Sequence, residues 1–234
     1  MGYIPLFMDV SGRPCAVIGD GDAAARRVRE LLDAGALVTL VSAEPRGALA
    51  AIVAAGEIRH LARPYEAGDL RGLVLAYVSS EDPKLARAAA AEARNLGIPI
   101  NVSDHPDLCT FIAPSVVRRG GLRIAISTGG ASPALARSLR EELQVRFGPE
   151  YEVLLEILAA ARRYLQRTQS DADSRARIMT QLARSALLDH LRIGDYSASD
   201  RMVTQLLGIG LATLGFDSAR LSAATAAPNG FDSK

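Results

Sequence analysis

The sequence predicts an α/β fold: a doubly wound parallel sheet, followed by a hairpin and helix and then by a C-terminal helical region. Three observations predict it. Up to about residue 113, short and wholly apolar runs alternate with amphipathic, alanine-rich stretches, the pattern of parallel strands covered on both faces by crossover helices. A glycine turn, Gly19-Asp20-Gly21-Asp22-Ala23-Ala24, separates the first of those strands from the first helix. Beyond that point the alternation stops, and two short runs flanking Gly120-Gly121 give way to helical periodicity alone.

Taken in order, Tyr3 to Met8 (YIPLFM) is expected as an edge strand or as a segment lying on the sheet. Cys15 to Ile18 is the first strand, apolar at every position and so suited to burial on both faces. The glycine turn then matches G-x-G-x-x-A inside a strand–turn–helix unit of Rossmann type. Gly19 permits the tight turn, Gly21 has no Cβ to obstruct a pyrophosphate, and Ala24 lets the helix pack close to the strand. The free N–H groups at the start of that helix favour a phosphate pair. Val28, Leu31 and Leu32 form its inward stripe, Gly35 ends it, and Val38 to Val41 is the second strand. Past that strand come Ser42 and Ala43, and Glu44 is the first carboxylate. Glu44 either accepts hydrogen bonds from an adenosine ribose, which favours NAD over NADP, or is a solvated loop residue.

A helix over Pro45–Ala55, a strand over Glu57–Leu61 and a strongly apolar strand over Gly72–Val78 follow. After Ser79-Ser80, Asp82 is placed to cap a helix with Pro83 in its first turn, running over Lys84–Asn95 and closing at Gly97. Ile98 to Val102 is the next strand. Ser115–Arg119 and Leu122–Ser127 form the hairpin, and Ser132-Pro133 opens a helix to about Phe147 that carries Leu135, Leu139 and Leu143 on one face. Further helices are expected over Glu150–Arg167, Arg175–Leu191 and Ala198–Leu214, with a disordered tail. The domains expected are a nucleotide-binding domain over 1–113, a dimerisation segment over 114–147, a helical domain over 148–221 and a tail over 222–234. A lone hairpin is only marginally stable, so it is expected to pair with a second subunit.

Composition narrows the function classes. The 234 residues are 49% hydrophobic and 23% charged, with a net charge of +1. Such a balance gives no general attraction to nucleic acid or to a membrane surface. No apolar run approaches the roughly twenty residues that span a bilayer, and the first residues lack a signal-peptide pattern. Two cysteines, Cys15 and Cys109, imply no disulfide framework, and no His, Cys and carboxylate spacing suggests a structural metal site. A cytoplasmic protein is the expectation.

Ligands of open parallel sheets bind beyond the carboxyl ends of the strands. The glycine turn, the Ser79-Ser80 loop and Asn101 to His105 should converge there. Asp104 follows a buried strand and would face the cleft, where a carboxylate acts as a general base; the other reading is a cap on the turn before Pro106. A second candidate is Ser127-Thr128-Gly129-Gly130-Ala131-Ser132-Pro133, a strand end running into a helix start with hydroxyls and free N–H groups suited to an anion. From Ser115 to Arg146 there are six arginines, Arg137 among them, against Glu141 and Glu142, a balance of 6 − 2 = +4. Arginine suits carboxylates because its planar fork engages both oxygens.

These stretches resemble the precorrin-2 dehydrogenase/sirohydrochlorin ferrochelatase family, the dehydrogenase module of siroheme synthases. The resemblance is carried by YIPLF, by GDGDAAARRV with LLDAGALVTLVS, by NVSDHPDLCTFIAPSVV and by LRIAISTGGASPALARSLREEL, from about Tyr3 to Leu143. It implies NAD-dependent oxidation of precorrin-2 to sirohydrochlorin and, in some members, insertion of Fe²⁺ to make siroheme. It implies Asp104 as the catalytic aspartate and cofactor positions at Asp22-Ala23, beside Gly19 and Gly21, and at Ala43-Glu44, with Ser79 near them. It also implies a carboxylate-rich substrate held by Ser127, Thr128, Gly129, Gly130, Ser132 and Arg137, and a homodimer interlocked through the hairpin and helix; Fe²⁺ or Co²⁺ would be a substrate metal. Asp20 departs from the common GGG turn and either points away from the pyrophosphate or weakens its binding, and Thr128 stands where some members have serine, which keeps a hydroxyl. The chain ends without a methyltransferase module, so synthesis of precorrin-2 itself is not expected. The competing reading is an NAD-binding regulatory module without tetrapyrrole chemistry. A short-chain dehydrogenase is disfavoured, because Lys84 and Lys234 follow Ser80 and Gly230, not tyrosine, at the Tyr-x-x-x-Lys spacing.

Overall fold

A computed structural model describes residues 2–219 and Leu221. The chain divides into two compact units, one up to Ala113 and one from Pro114 onward.

The first unit alternates strand and helix: β1 (Pro14–Gly19), α1 (Asp22–Asp33), β2 (Leu37–Val41), α2 (Ala48–Ala54), β3 (Arg59–Leu61), β4 (Leu75–Ser79), α3 (Pro83–Leu96) and β5 (Ile100–Val102), then a 3₁₀ turn over Pro106–Leu108. All pairings are parallel, in the order β3-β2-β1-β4-β5. The apolar strand runs are explained by two cores. Cys15 and Val17 of β1 face α1 and α2, together with Val38, Leu40 and Tyr77. Ala16 and Ile18, one residue out of phase, face α3 together with Ala76, Val78 and Ile100. Burying a Val, Leu or Ile side chain completely is worth about 1.5–3 kcal/mol. On α3, Ala86, Ala89, Ala90 and Ala93 recur at helical spacing and are all fully buried, so the backbone lies close against the sheet. Asp82 caps α3 by accepting from the Lys84 N–H at 2.8 Å, and Gly97 ends it in the left-handed region.

β5 is an edge strand, and its outer edge is covered by side chains. Thr110 exchanges bonds with Ile100, Oγ1 accepting the Ile100 N–H at 2.8 Å and the Thr110 N–H reaching the Ile100 carbonyl at 2.9 Å. Cys109 does the same two residues on, its Sγ accepting the Val102 N–H at 3.1 Å and lying 3.3 Å from the Val102 carbonyl. Edge N–H and C=O groups are thereby satisfied without a sixth strand.

The second unit begins with an antiparallel hairpin, β6 (Ser115–Arg119) and β7 (Leu122–Ile126), turned at Gly120-Gly121. Then come α4 (Pro133–Arg146), α5 (Glu150–Thr168), α6 (Ala172–Ala183), α7 (Leu187–Arg192) and α8 (Tyr196–Leu207), with a 3₁₀ turn over Leu211–Leu214. Val153, Ile157, Ala161 and Leu165 of α5 pack on Leu182, Leu187, Leu191 and Val203 in a core of their own. Asp171 and Asp195 cap α6 and α8 through the N–H groups of Ser174 and Ala198, at 2.8 and 2.9 Å. Glu150 is buried at the start of α5 and receives Arg192 Nε at 3.1 Å.

Several expectations are corrected. Tyr3–Met8 is neither a strand nor laid on the sheet: Ile4, Leu6 and Phe7 are 87%, 77% and 70% exposed. The run has a strand's composition, but Pro5 has no N–H for a ladder. The helix expected over Arg175–Leu191 is two, α6 and α7, broken where the Ser185 hydroxyl donates to the Leu182 carbonyl and accepts the Leu187 N–H. The helix expected over Ala198–Leu214 stops at Leu207, because Gly208 turns left-handed, and resumes as the 3₁₀ turn. Strands expected over Glu57–Leu61, Gly72–Val78 and Ile98–Val102 are each entered later, at Arg59, Leu75 and Ile100. The expected tail over 222–234 lies outside the described residues.

Candidate functional site

The strand order of the first unit reverses between β1 and β4, and open α/β sheets bind ligands in the crevice at such a reversal. Three of the segments singled out by the sequence meet at that end. Gly19, the last residue of β1, is in register with Ser79, the last residue of β4. Val78 is in register with Val102, and the Ser103 N–H continues the ladder to the Val78 carbonyl at 2.9 Å. The Ser79 and Ser103 hydroxyls lie 3.2 Å apart. Asp104 follows directly.

The glycine turn has an open and a closed glycine. Gly19 has φ +145°, and a Cβ there would overlap the Ser79 carbonyl oxygen and stand 3.0 Å from its carbon. At Gly21, which precedes α1, a Cβ would meet nothing within 4 Å. Gly21 carries no side-chain cap, and the Ala25 N–H closes the first helical bond to the Gly21 carbonyl at 3.0 Å. The N–H groups ahead of Ala25 are the ones an α-helix leaves without intrahelical partners. Asp22 is exposed and Ala23 half-buried in this first turn.

Asp20 is engaged by the residues that follow β2. Its carboxylate accepts the Ser42 hydroxyl, just past the end of β2, and its carbonyl accepts the Arg46 N–H at 2.8 Å. Ser42 is buried and held from the other side too: its N–H donates to the Leu61 carbonyl at 3.2 Å, and His60 Nε2 lies 2.8 Å from its own carbonyl. Ala43 and Glu44 are exposed.

Asp104 is the one non-glycine residue with positive φ among the described residues, at +62°. Aspartate tolerates that region better than most residues, at a cost of about 1–2 kcal/mol. It does not cap the turn before Pro106, since His105 occupies that cap position. The side chain is exposed. Cys109 holds the loop beneath it, with Sγ bonded to Val102 as described and 3.4 Å from the His105 carbonyl. Sequence reasoning missed Cys109, Ser42 and His60 as neighbours of this end of the sheet. Only the position of Ser42 immediately after a strand marked it.

In the second unit, Ser127 to Ser132 forms a self-bonded loop. The Gly129 N–H donates to Ser127 Oγ at 3.0 Å, and Thr128 Oγ1 bonds both the N–H and the carbonyl of Ser132 at 3.1 Å. Ser132 caps α4 by accepting the Leu135 N–H at 3.1 Å. Gly129 and Gly130 have φ of +63° and +88°. Arg137 is exposed and pairs with Glu141 at 3.0 Å. Among the described residues no three His, Cys, Asp or Glu side chains cluster as a metal site, and no helix is long and apolar enough to cross a membrane.

A parallel sheet with a glycine turn at its reversal point and a helix start facing that turn defines a dinucleotide-binding α/β protein. Comparison with known proteins agrees and goes further. Residues 6–115 match a family described as "Putative NAD(P)-binding", and residues 119–146 match one described as "Sirohaem biosynthesis protein central". Siroheme synthase of Methylobacillus flagellatus is 37% identical over 207 residues, covering 88% of this chain and 44% of that protein. Siroheme synthase of Azotobacter vinelandii is 33% identical over 216 residues, covering 92% and 47%. The solved structure titled SirC, precorrin-2 dehydrogenase shares the fold, with a TM-score of 0.72 at 22% identity over 87% of this chain and 98% of that one. The chain belongs to the family of siroheme biosynthesis proteins that these two segments define, and it spans less than half the length of these siroheme synthases.

Proposed function

We propose that the chain is the NAD-dependent dehydrogenase that oxidises precorrin-2 to sirohydrochlorin in siroheme biosynthesis. The observation that carries this reading is the meeting of Gly19, Ser79 and the Asp104 loop at the carboxyl ends of three adjacent strands. The residues present fit NAD: Gly21 leaves open space where a phosphate must approach the backbone, and α1 presents a first turn without a side-chain cap. Gly19, Gly21, Asp22 and Ala23 would hold the pyrophosphate, Ala43 and Glu44 border the adenosine side, and Ser79 lies beneath the crevice. NAD⁺, when bound, supplies the hydride acceptor. The chain supplies the base: Asp104, exposed at the end of β5, takes the proton that leaves the macrocycle with the hydride.

The macrocycle carries carboxylates around its rim, and the arginine-rich stretch from Ser115 to Arg146 complements them. We assign Ser127, Thr128, Gly129, Gly130, Ser132 and Arg137 to that contact. The hydroxyls of Thr128 and Ser132 fix the loop, so its backbone and the start of α4 are the groups left to face an anion. The hairpin and α4 support a homodimer. β6 and β7 form a sheet of two strands, α4 buries only Ala136, and Leu135 and Val145 are 52% and 87% exposed. These features support a second copy of the chain as the partner of the hairpin and α4.

Purified protein mixed with precorrin-2 and NAD⁺ should form NADH and the sirohydrochlorin spectrum in equal amounts. NAD binding without turnover would instead assign a regulatory module. Sirohydrochlorin with Fe²⁺ or Co²⁺ tests metal insertion as a second activity, which is assigned by formation above the spontaneous rate.

A further inference from the structure

We infer that Asp20, a residue of the glycine turn, is the side chain that selects NAD over its 2′-phosphorylated counterpart; the inference rests on the dinucleotide reading of this site. A dinucleotide seated on such a turn places its adenosine ribose over the end of β2, where a carboxylate hydrogen-bonds the ribose hydroxyls. The first carboxylate after β2 in the sequence is Glu44, but Glu44 is exposed and stands three residues past the strand end at Val41. The structure supplies a carboxylate to the strand end by another route. β1 and β2 are adjacent, with Ile18 in register with Val41, so the residues just beyond them are neighbours. Asp20 reaches across to Ser42 and accepts a hydrogen bond from its hydroxyl.

The geometry is fixed on every side. Ser42 is buried, and its backbone is tied to Leu61 and His60 of β3. The Asp20 carbonyl is tied to the Arg46 N–H at 2.8 Å. The carboxylate is therefore held by its own backbone and by the serine, as a group that must read a ribose has to be. One of its oxygens takes the Ser42 hydroxyl, and among the described residues no donor engages the other. A ribose diol can donate to that oxygen, whereas a 2′-phosphate brings like charge against it. The same placement explains how an acidic side chain is compatible with a glycine turn that binds phosphate: it faces the ribose side of the turn.

Calorimetric titration of the whole chain with NAD⁺ and with NADP⁺ tests this, using the native protein, Asp20→Asn, Ser42→Ala and Glu44→Gln. The native protein should prefer NAD⁺ by about tenfold or more, near the value of one charge-assisted contact. Asp20→Asn should reduce that preference to within about twofold, weakening NAD⁺ and strengthening NADP⁺ together. Ser42→Ala, which frees the carboxylate without removing it, should lower the preference by an intermediate factor; this arm carries the test if Asp20→Asn fails to fold. High salt should narrow the native preference by screening the repulsion. A native preference for NADP⁺, or a preference that Glu44→Gln abolishes and Asp20→Asn leaves intact, overturns the inference while leaving the dinucleotide site standing. Binding of neither nucleotide by the folded native protein overturns the site and the inference together.

Discussion

Replacing each of the two glycines of the turn by alanine should separate stability from binding. At Gly19 the backbone has φ +145°, and the new Cβ would overlap the Ser79 carbonyl oxygen and lie 3.0 Å from its carbon and 3.2 Å from its Cβ. Ser79 cannot retreat, because it is the register partner of Gly19 at the end of the β1–β4 ladder. Overpacking against backbone costs about 1–3 kcal/mol, and a side chain held in a disfavoured backbone region about 1–3 kcal/mol more. Gly19→Ala should therefore lose about 2–6 kcal/mol, a large share of the roughly 5–15 kcal/mol that holds a domain folded. At about 2–4 °C per kcal/mol for a chain of this size, calorimetry should show the melting temperature falling by roughly 5–20 °C. Gly21 differs in both respects: its φ is −111°, open to any residue, and its Cβ meets nothing. Gly21→Ala should melt within about 1 kcal/mol of the native protein, yet bind NAD⁺ about tenfold or more weakly, because the added methyl occupies the approach of the pyrophosphate. A Gly19→Ala protein that melts like the native one would show that β1 and β4 do not close in this register. Unchanged NAD⁺ affinity in Gly21→Ala would show that the phosphates lie elsewhere.

Asp104→Ala should lower kcat by about 10²–10⁴-fold while NAD⁺ affinity, read by calorimetry, stays within about twofold; turnover near the native rate would remove Asp104 from the base role. Cys109→Ala leaves the partly buried Val102 N–H without its acceptor and should cost about 1–2 kcal/mol, with faster hydrogen exchange at Val102 and His105; Cys109→Ser should restore much of it. Asp69 accepts both terminal nitrogens of Arg63, at 2.8 and 2.6 Å, and the Glu66 N–H at 2.9 Å. The Arg63 hydrogen bond is the largest cause holding its carboxyl below the usual range. The resulting stabilisation is complete above the ordinary carboxylate pKa of about 4 and is lost as pH falls through the lowered value. Asp69→Asn should accordingly melt lower than the native protein at pH 7, and the gap should close in acid; a gap that persists unchanged at pH 2 would contradict this.

Much of the fold was legible because its signals are local. An apolar run such as Cys15–Ile18 has no water-facing side, so it announces a strand covered twice. Asp82-Pro83 and Gly97 punctuate α3 through backbone geometry that neighbouring residues determine alone. Where the reading failed, the deciding contact was distant or the local signal ambiguous. YIPLFM has a strand's composition but no ladder partner, and the break between α6 and α7 turns on Ser185, which also suits a helix interior. The candidate site divides in the same way. The glycine turn and Asp104 could be picked out from type and position.

The amino-acid order alone determined the parallel sheet, the glycine turn at its first crossover and the acid that follows β5, since each depends on residues within a few positions of one another. Only tertiary structure decided that Asp20 meets Ser42, 22 positions along the chain, that Cys109 and Thr110 complete the edge of β5, and that Gly19 rather than Gly21 is the glycine with no room for a side chain. Those facts depend on which strands lie side by side and in what register. That is fixed by how two cores pack against opposite faces of the sheet, and it is not written in any short stretch of sequence.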